Sequence, residues 1–420
     1  MTNLYITADV VGLESGGGKV TAHESEALKE LGPCAVWGRE QLSVRYNGEP
    51  FGPGAEPWVW DERAWCKKAE FIDSKPGVAH FYAGTFSKTV QHLKECSYRV
   101  AYTAAAHDVQ KSKQAHEELG VPYDYPHLTD PVQWQRYLSG YKAADVLICP
   151  SQHSAAVMRG FGCTNRIEVI PHGCNLPICR NCNGFGGFTK APPDNDEQDE
   201  GLCNDCEGTC IAPIAQLPPQ FRIGYLGAMG CDKGVIDLLR AWHKLNYPVS
   251  EAALIIGGRD SKHPFVEQLV KVAYGDVRGM VEVDDGHAYI HLCTAERRAA
   301  LSLQGWLNNV GDFYNACSLY VQPSRTEGFG IEVLESMAHG RAVICSDGAG
   351  AADVLECGMT YPAGDVDALA RNIDLCYQNW KLGGAAFLQM GQTNRVLAKR
   401  YEWSKIRARY VTLWQQLLKE

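Results

Sequence analysis

The chain has no apolar stretch long enough to span a bilayer. Its first residues, Met1-Thr-Asn-Leu-Tyr-Ile-Thr-Ala, read as a strand and carry neither the basic segment nor the cleavage site of a leader. The expectation is a cytoplasmic protein with no transmembrane segment. Positive charge is also short: 40 Lys and Arg against 49 Asp and Glu give a net charge of −9. That argues against a general polyanion-binding surface and leaves only a local basic cleft open. Cysteine, by contrast, is plentiful at 17 residues. Most of it lies singly in apolar strands, as at Cys149, Cys317 and Cys345, where a thiol packs as a small hydrophobe in a reducing compartment. At 420 residues the chain is too long for one ordinary core, so two domains are expected.

Short β-rich runs alternate with longer helical patterns, the mark of α/β units around a parallel sheet. Candidate strands are Leu4–Thr7, Cys34–Trp37, His80–Tyr82, Arg99–Thr103, Asp145–Cys149 and Ile167–Ile170. After an insert rich in Cys, Pro and acid, a second set follows at Phe221–Leu226, Ala253–Ile256, Leu319–Val321 and Ala342–Cys345. The fold class implied is α/β, with two doubly wound Rossmann-like domains facing across a cleft. Ligands of such sheets bind at the carboxyl ends of the strands.

The most informative string is Pro323-Ser-Arg-Thr-Glu327-Gly-Phe-Gly330-Ile-Glu-Val-Leu-Glu335-Ser-Met-Ala-His-Gly340. It places two carboxylates eight residues apart behind a glycine-rich strand-to-helix turn. Glu327 falls in the loop and Glu335 about two turns along the helix. Read alone, this is equally an ordinary βα turn with two solvated acids. The whole string, however, resembles the signature of the retaining GT-B glycosyltransferases of the "glycosyl transferases group 1" family. The resemblance covers nearly the whole chain outside the insert. It implies that Glu335 binds ribose hydroxyls and Glu327 the hydroxyls of the transferred sugar, with Arg325, Gly328, Phe329 and Gly330 lining the donor site. Ala104-Ala-Ala-His107-Asp108 is similar to the family's strand-end histidine, which puts His107 with Glu327 and Lys233 among the catalytic residues. Gly16-Gly17-Gly18 precedes a helical run from Val20 to Leu31, so the Gly17 and Gly18 amides are read as donor contacts at a helix N-terminus.

Gly224-Tyr-Leu-Gly227-Ala-Met-Gly-Cys-Asp-Lys233-Gly234 resembles the turn that carries a basic pair for the donor pyrophosphate, with Gly227 and Lys233 matched. The family's arginine after the first glycine is replaced by Ala228, and Arg325 and Arg222 are the substitutes by sequence proximity. Gly305-Trp306-Leu307 sits where the family contacts the base, and Ser346-Asp-Gly-Ala-Gly350 resembles its later glycine loop. No Asp-x-Asp motif of the metal-dependent transferases stands at a strand end, so no catalytic metal is expected.

The insert carries its own chemistry. Cys179-Arg-Asn-Cys182-Asn-Gly184-Phe-Gly186 is echoed by Cys203-Asn-Asp-Cys206-Glu-Gly208-Thr-Cys210. Two thiolate knuckles, each backed by glycine, suit one tetrahedral structural Zn2+ held by Cys179, Cys182, Cys203 and Cys206; disulfides or unpaired thiols are the alternative. This module resembles the cysteine-rich zinc module of the DnaJ co-chaperones, over about forty residues. Cys174 and Cys210 are spare ligands. Residues 174–212 hold two bases against seven acids, a net of −5, which disfavours contact with nucleic-acid phosphates.

The domain reading is 1–173 for an acceptor-side domain, 174–220 for the zinc-binding insert and hinge, 221–400 for the nucleotide-sugar domain, and 401–420 for a helix returning to the first domain. The expected activity is retaining transfer of a sugar from a nucleoside diphosphate sugar to a hydroxyl of a glycan or small acceptor. Alternatives are a phosphorylase or synthase of the same fold, or a zinc-bearing binding protein with weak catalysis. A modified DNA base is a minority acceptor; the segment Trp58-Val-Trp60 to Trp65, with Arg63, Lys67 and Lys68, reads first as an amphipathic helix and second as a stacking platform.

Overall fold

The computed structural model describes residues 2–7, 16–38, 75–82, 86–106, 108–123, 131–179, 209–258, 280–284, 287–294, 297–304, 307 and 309–420. His107, Gly305, Trp306, the segment from Trp58 to Lys68, and Cys182, Cys203 and Cys206 lie outside the described residues. The chain divides into two units. The first comprises Met1–Gly173, Thr326–Ile331 and Trp403–Glu420; the second comprises Cys174–Arg325 and Glu332–Glu402.

The elements of the first unit run β1 (Thr2–Thr7), α1 (Gly16–Lys29), β2 (Cys34–Trp37), β3 (Pro76–Tyr82), α2 (Ser87–Glu95), β4 (Arg99–Thr103), α3 (Val109–Leu119), α4 (Pro131–Ala143), β5 (Val146–Cys149), α5 (Gln152–Gly160) and β6 (Arg166–Val169). Its six strands form a parallel sheet in the order β2-β1-β3-β4-β5-β6. Near-continuous apolar strands such as Val146–Cys149 are buried along their whole length, as a sheet covered on both faces requires. Asp108 caps α3, accepting from the Gln110 and Lys111 amides, and Gly120 ends that helix at φ 63°. Ser151 caps α5 by accepting from the Ser154 amide at 2.9 Å.

Inside this unit sits a buried carboxylate. Glu24, from the middle of α1, is 1% exposed. It accepts from the Tyr5 hydroxyl at 2.7 Å and the Thr103 hydroxyl at 2.8 Å, and lies 3.1 Å from His80 Nε2. Burial alone would raise its pKa; the His80 ring and the hydrogen bonds outweigh that and hold it below the usual carboxylate range.

The second unit contains β7 (Phe221–Leu226), α6 (Val235–Leu245), β8 (Ala252–Gly257), β9 (Met280–Asp284), β10 (His287–Thr294), β11 (Arg297–Leu303), α7 (Val310–Ala316), β12 (Leu319–Gln322), α8 (Ile331–Ala338, its first residue counted with the first unit), β13 (Ala342–Ser346), β14 (Met359–Tyr361), α9 (Val366–Lys381) and α10 (Ala385–Ala398). Its sheet order is β14-β13-β12-β7-β8-β11-β10-β9. The four expected strands, β7, β8, β12 and β13, run parallel with β14 and β11, whereas β10 pairs antiparallel with both β9 and β11. That extension is absent from the sequence reading. Among the described residues, no helix is long and apolar enough to cross a membrane.

The last helix, α11 (Trp403–Leu417), belongs to the first unit and packs on α1. Tyr410 and Trp414 come down beside the Glu24 site: Trp414 meets His80 edge-on at 5.2 Å between ring centroids, and the Tyr410 phenol faces the Glu24 carboxylate.

Candidate active site

In the second unit, β7 runs into a tight turn that ends in a single 3-10 turn, Cys231–Lys233. Gly234 follows at φ 67°, and a Cβ there would lie 1.9 Å from the Pro323 carbonyl oxygen. Only glycine fits both constraints, so Lys233 is held against the loop that leaves β12. Arg325 braces the same turn. Its amide donates to the Asp232 carbonyl at 2.8 Å, and its guanidinium grips Asp237 of α6 through Nε to Oδ2 at 2.7 Å and Nη2 to Oδ1 at 2.8 Å. Asp237 is 1% exposed and Arg325 11%. The arginine charge is thereby matched by a carboxylate inside the protein, a partnership the sequence reading of Arg325 as a donor cation did not include. Ala228 is exposed, and its carbonyl accepts from the Tyr225 hydroxyl at 2.8 Å.

Glu335 lies half-buried on α8 and accepts from the Tyr314 hydroxyl at 2.9 Å. Burial, followed by the charge of Glu335, pushes the Tyr314 phenol well above its ordinary pKa, so it stays a hydrogen-bond donor. The later glycine loop presses onto the same region: a Cβ on Gly348 would lie 2.4 Å from the Arg325 carbonyl oxygen, and the Ser346 hydroxyl donates to the Ser324 carbonyl. Asp365 and Asp367, an Asp-x-Asp spacing outside the insert, are a helix cap and a surface partner of Lys244.

In the first unit, the loop Thr326–Ile331 carries Glu327, Gly328, Phe329 and Gly330. Three contacts pin it: the Asp108 amide donates to Thr326 Oγ1 at 2.6 Å, the Ser151 hydroxyl donates to the Gly328 carbonyl at 2.8 Å, and a Cβ on Gly328 would lie 2.6 Å from the Ala105 carbonyl oxygen. Glu327 is half-buried and Phe329 is 2% exposed. The Asp108 side chain is occupied as the cap of α3. Gly17 and Gly18 are the first turn of α1, because the helix begins at Gly16, four residues before the expected start at Val20. Their amides are therefore N-terminal helix donors, with the Gly18 carbonyl already accepting from Thr21 Oγ1 at 2.8 Å.

Of the four cysteines proposed as zinc ligands, Cys179 alone is described, and it is buried. The root of the insert is nonetheless ordered. Ile178 and Ile211 pair as an antiparallel bridge, the Cys179 amide donates to the Cys210 carbonyl at 2.9 Å, and the Ala212 amide donates to the Pro177 carbonyl at 2.8 Å. Cys210 takes φ 63°. Cys174 is packed away at 1% exposure, and burial pushes its thiol to about 12. Among the described residues, no group of three or more His, Cys, Asp or Glu side chains is arranged to hold a metal.

Two α/β units, one holding the lysine turn and Glu335 and the other the loop with Glu327, each built on a largely parallel sheet, have the architecture of the GT-B fold. Family comparison agrees: residues 220–379 match "Glycosyl transferases group 1" and residues 16–176 match "Glycosyltransferase Family 4". Each of the two α/β portions of the chain is thus similar to a glycosyltransferase family model. It is 29% identical over 161 residues to the lipopolysaccharide core biosynthesis mannosyltransferase LpcC of Rhizobium leguminosarum bv. viciae, which covers 37% of this chain and 41% of that one. The match therefore spans less than half of that relative. Among solved structures, sucrose-phosphate synthase from Thermosynechococcus elongatus aligns over 100% of both chains with a TM-score of 0.66 and 17% identity. The Anabaena protein HepE, solved with UDP and glucose, aligns over 99% of this chain and 100% of that one, with a TM-score of 0.58 and 15% identity. These structural likenesses speak to the fold.

Proposed function

We propose that the protein is a retaining glycosyltransferase that takes a sugar from a nucleoside diphosphate sugar and attaches it to a hydroxyl of a glycan or other small acceptor. The observation that carries this reading is the Lys233–Gly234 turn, fixed by the 1.9 Å constraint at Pro323 and by Arg325, in the same unit as a Glu335 held by Tyr314. Breaking the anomeric bond places growing negative charge on a diphosphate, and a positioned ammonium with backbone amides stabilises that charge without a divalent ion. Lys233 is assigned that part, with Gly227 and Gly328 to Gly330 supplying amides. Glu335 is assigned the ribose and Glu327 the sugar hydroxyls, while His107 steadies the reacting carbon. Retention and the role of His107 rest on the family resemblance. UDP in the HepE structure and the mannosyltransferase relative both support a nucleotide-sugar donor.

Arg325 is already paired with Asp237, so Lys233 is the principal cation of the proposed phosphate site. Introducing the missing guanidinium as Ala228→Arg is expected to tighten nucleoside diphosphate binding by about tenfold, roughly 1.4 kcal/mol. Calorimetry across nucleoside diphosphates and their sugars tests the whole reading. One nucleotide should bind well and lose at least tenfold in Lys233→Ala; a panel in which none binds removes the donor assignment.

For the insert, Zn2+ held by Cys179, Cys182, Cys203 and Cys206 is the reading carried forward, as a structural ion. The paired root brings the two ends of the insert to adjacent positions, which suits a closed knuckle pair. Cys174, buried against α10 with its thiol directed to the Ala398 carbonyl, is not assigned as a ligand.

A further inference from the structure

We propose that the Nδ1 atom of His172 forms a hydrogen bond with the donor sugar near Glu327, an inference that rests on the reading of Glu327 as the carboxylate that meets the donor sugar. His172 follows β6 and is 5% exposed. Its ring stands edge-on to Phe329, two residues beyond Glu327, at 5.1 Å and 73°. On the other side it is 6.4 Å from the Trp403 ring. That tryptophan is fixed: it stacks on His23 of α1 at 4.2 Å, and a Cβ on Gly173 would fall 2.6 Å from its ring. The imidazole is thus wedged between the Glu327 loop and α11, with little room to turn away.

An apolar ring would fill this wedge at lower cost. Among the described residues, His172 Nδ1 is buried with no hydrogen-bond partner, a situation that normally costs stability. Charge does not explain the choice either. Burial holds the imidazole down to about 4, and the nearby carboxylates of Glu24 and Glu327 raise it too little to ionise it at neutral pH. The ring is therefore a neutral group in the neighbourhood of Glu327. A polar atom kept in an apolar wedge at a cost to stability is expected where a polar partner arrives with the ligand.

The test is His172→Phe, which keeps the ring contacts and removes the nitrogens. Melting temperature and calorimetric affinities for UDP, GDP, UDP-glucose and GDP-mannose are measured for both proteins. The expected result is an unchanged or higher melting temperature, a dissociation constant for the bare nucleotide within twofold of wild type, and at least a fivefold loss in affinity for the sugar nucleotide relative to the bare one. A ratio that does not move overturns the proposal. So does a melting temperature lowered together with both affinities, since that describes a packing residue. If no nucleotide binds to the wild type, the donor reading fails and this inference falls with it; binding that is intact but indifferent to His172 removes the inference alone. Nitrogen shifts of the labelled imidazole add a second readout, moving on sugar-nucleotide addition and not on addition of the bare nucleotide.

Discussion

At the residue scale, the strongest constraints are glycines and buried charges. Gly234→Ala would drive a methyl into the Pro323 carbonyl at a positive φ. A loss of more than about 2 kcal/mol is expected in denaturant titration, with lost nucleotide affinity because Lys233 moves. Asp237→Ala leaves Arg325 buried without its carboxylate and should cost about 3–5 kcal/mol, whereas Asp237→Leu with Arg325→Met should recover most of it. Chemical denaturation of the two variants decides between these outcomes. Histidine sets the acid response. Burial holds His23, His172 and His339 each to about 4, so between pH 6.5 and 4 the unfolded chain binds protons that the folded protein refuses. Stability therefore falls as pH drops through that window, by about 1.4 kcal/mol per pH unit for each such proton, and His172→Phe should flatten the fall. The lowered Glu24 adds a further acid loss below the ordinary carboxylate range. Lys233, Glu327 and Glu335 are readable in the sequence because they sit in strings with fixed spacing. Asp237, Tyr314 and Ser151 are not, since each acts on a residue 21 or more positions away in the chain. His172 stands in the string Pro171-His-Gly173, yet its place beside Phe329 comes only from the fold.

At the scale of elements, periodicity and apolar runs locate the strands well: all ten candidate strands exist, nine within a residue or two at their ends, while β3 begins at Pro76, four residues before the expected His80. Buried parallel strands announce themselves because both faces must be apolar. The antiparallel strands β9 to β11 escape notice, although His287–Thr294 alternates polar and apolar residues in the manner of a strand with unlike faces. The start of α1 is also missed, because three glycines argue locally against a helix and tertiary packing overrides them. Helix α11 is the element with the largest expected consequence on removal. Trp403, Tyr410 and Trp414 are each 3% exposed or less, and Trp414→Ala should cost about 3–5 kcal/mol and release the edge contact on His80, visible as faster amide exchange across β3 and α1.

At the scale of the molecule, the insert and the division of the chain matter most. Metal analysis of the purified protein should find about one zinc per chain, and chelation should lower the melting temperature; a metal-free protein indifferent to Cys179→Ser would remove the zinc assignment. The first unit is assembled from three separate stretches, the last of which supplies Tyr410 and Trp414 over the buried Glu24. That arrangement orders events during synthesis. When the ribosome has finished residue 173 it still has 244 residues to add, about 12–50 s of translation at ordinary rates, before α11 is complete at Leu417. Throughout that interval a carboxylate and an imidazole destined for the interior lack the cover of Tyr410 and Trp414. The nascent sheet is therefore a natural client for chaperones, and a message truncated before codon 403 is expected to yield an aggregation-prone product even though every strand of the sheet has been made.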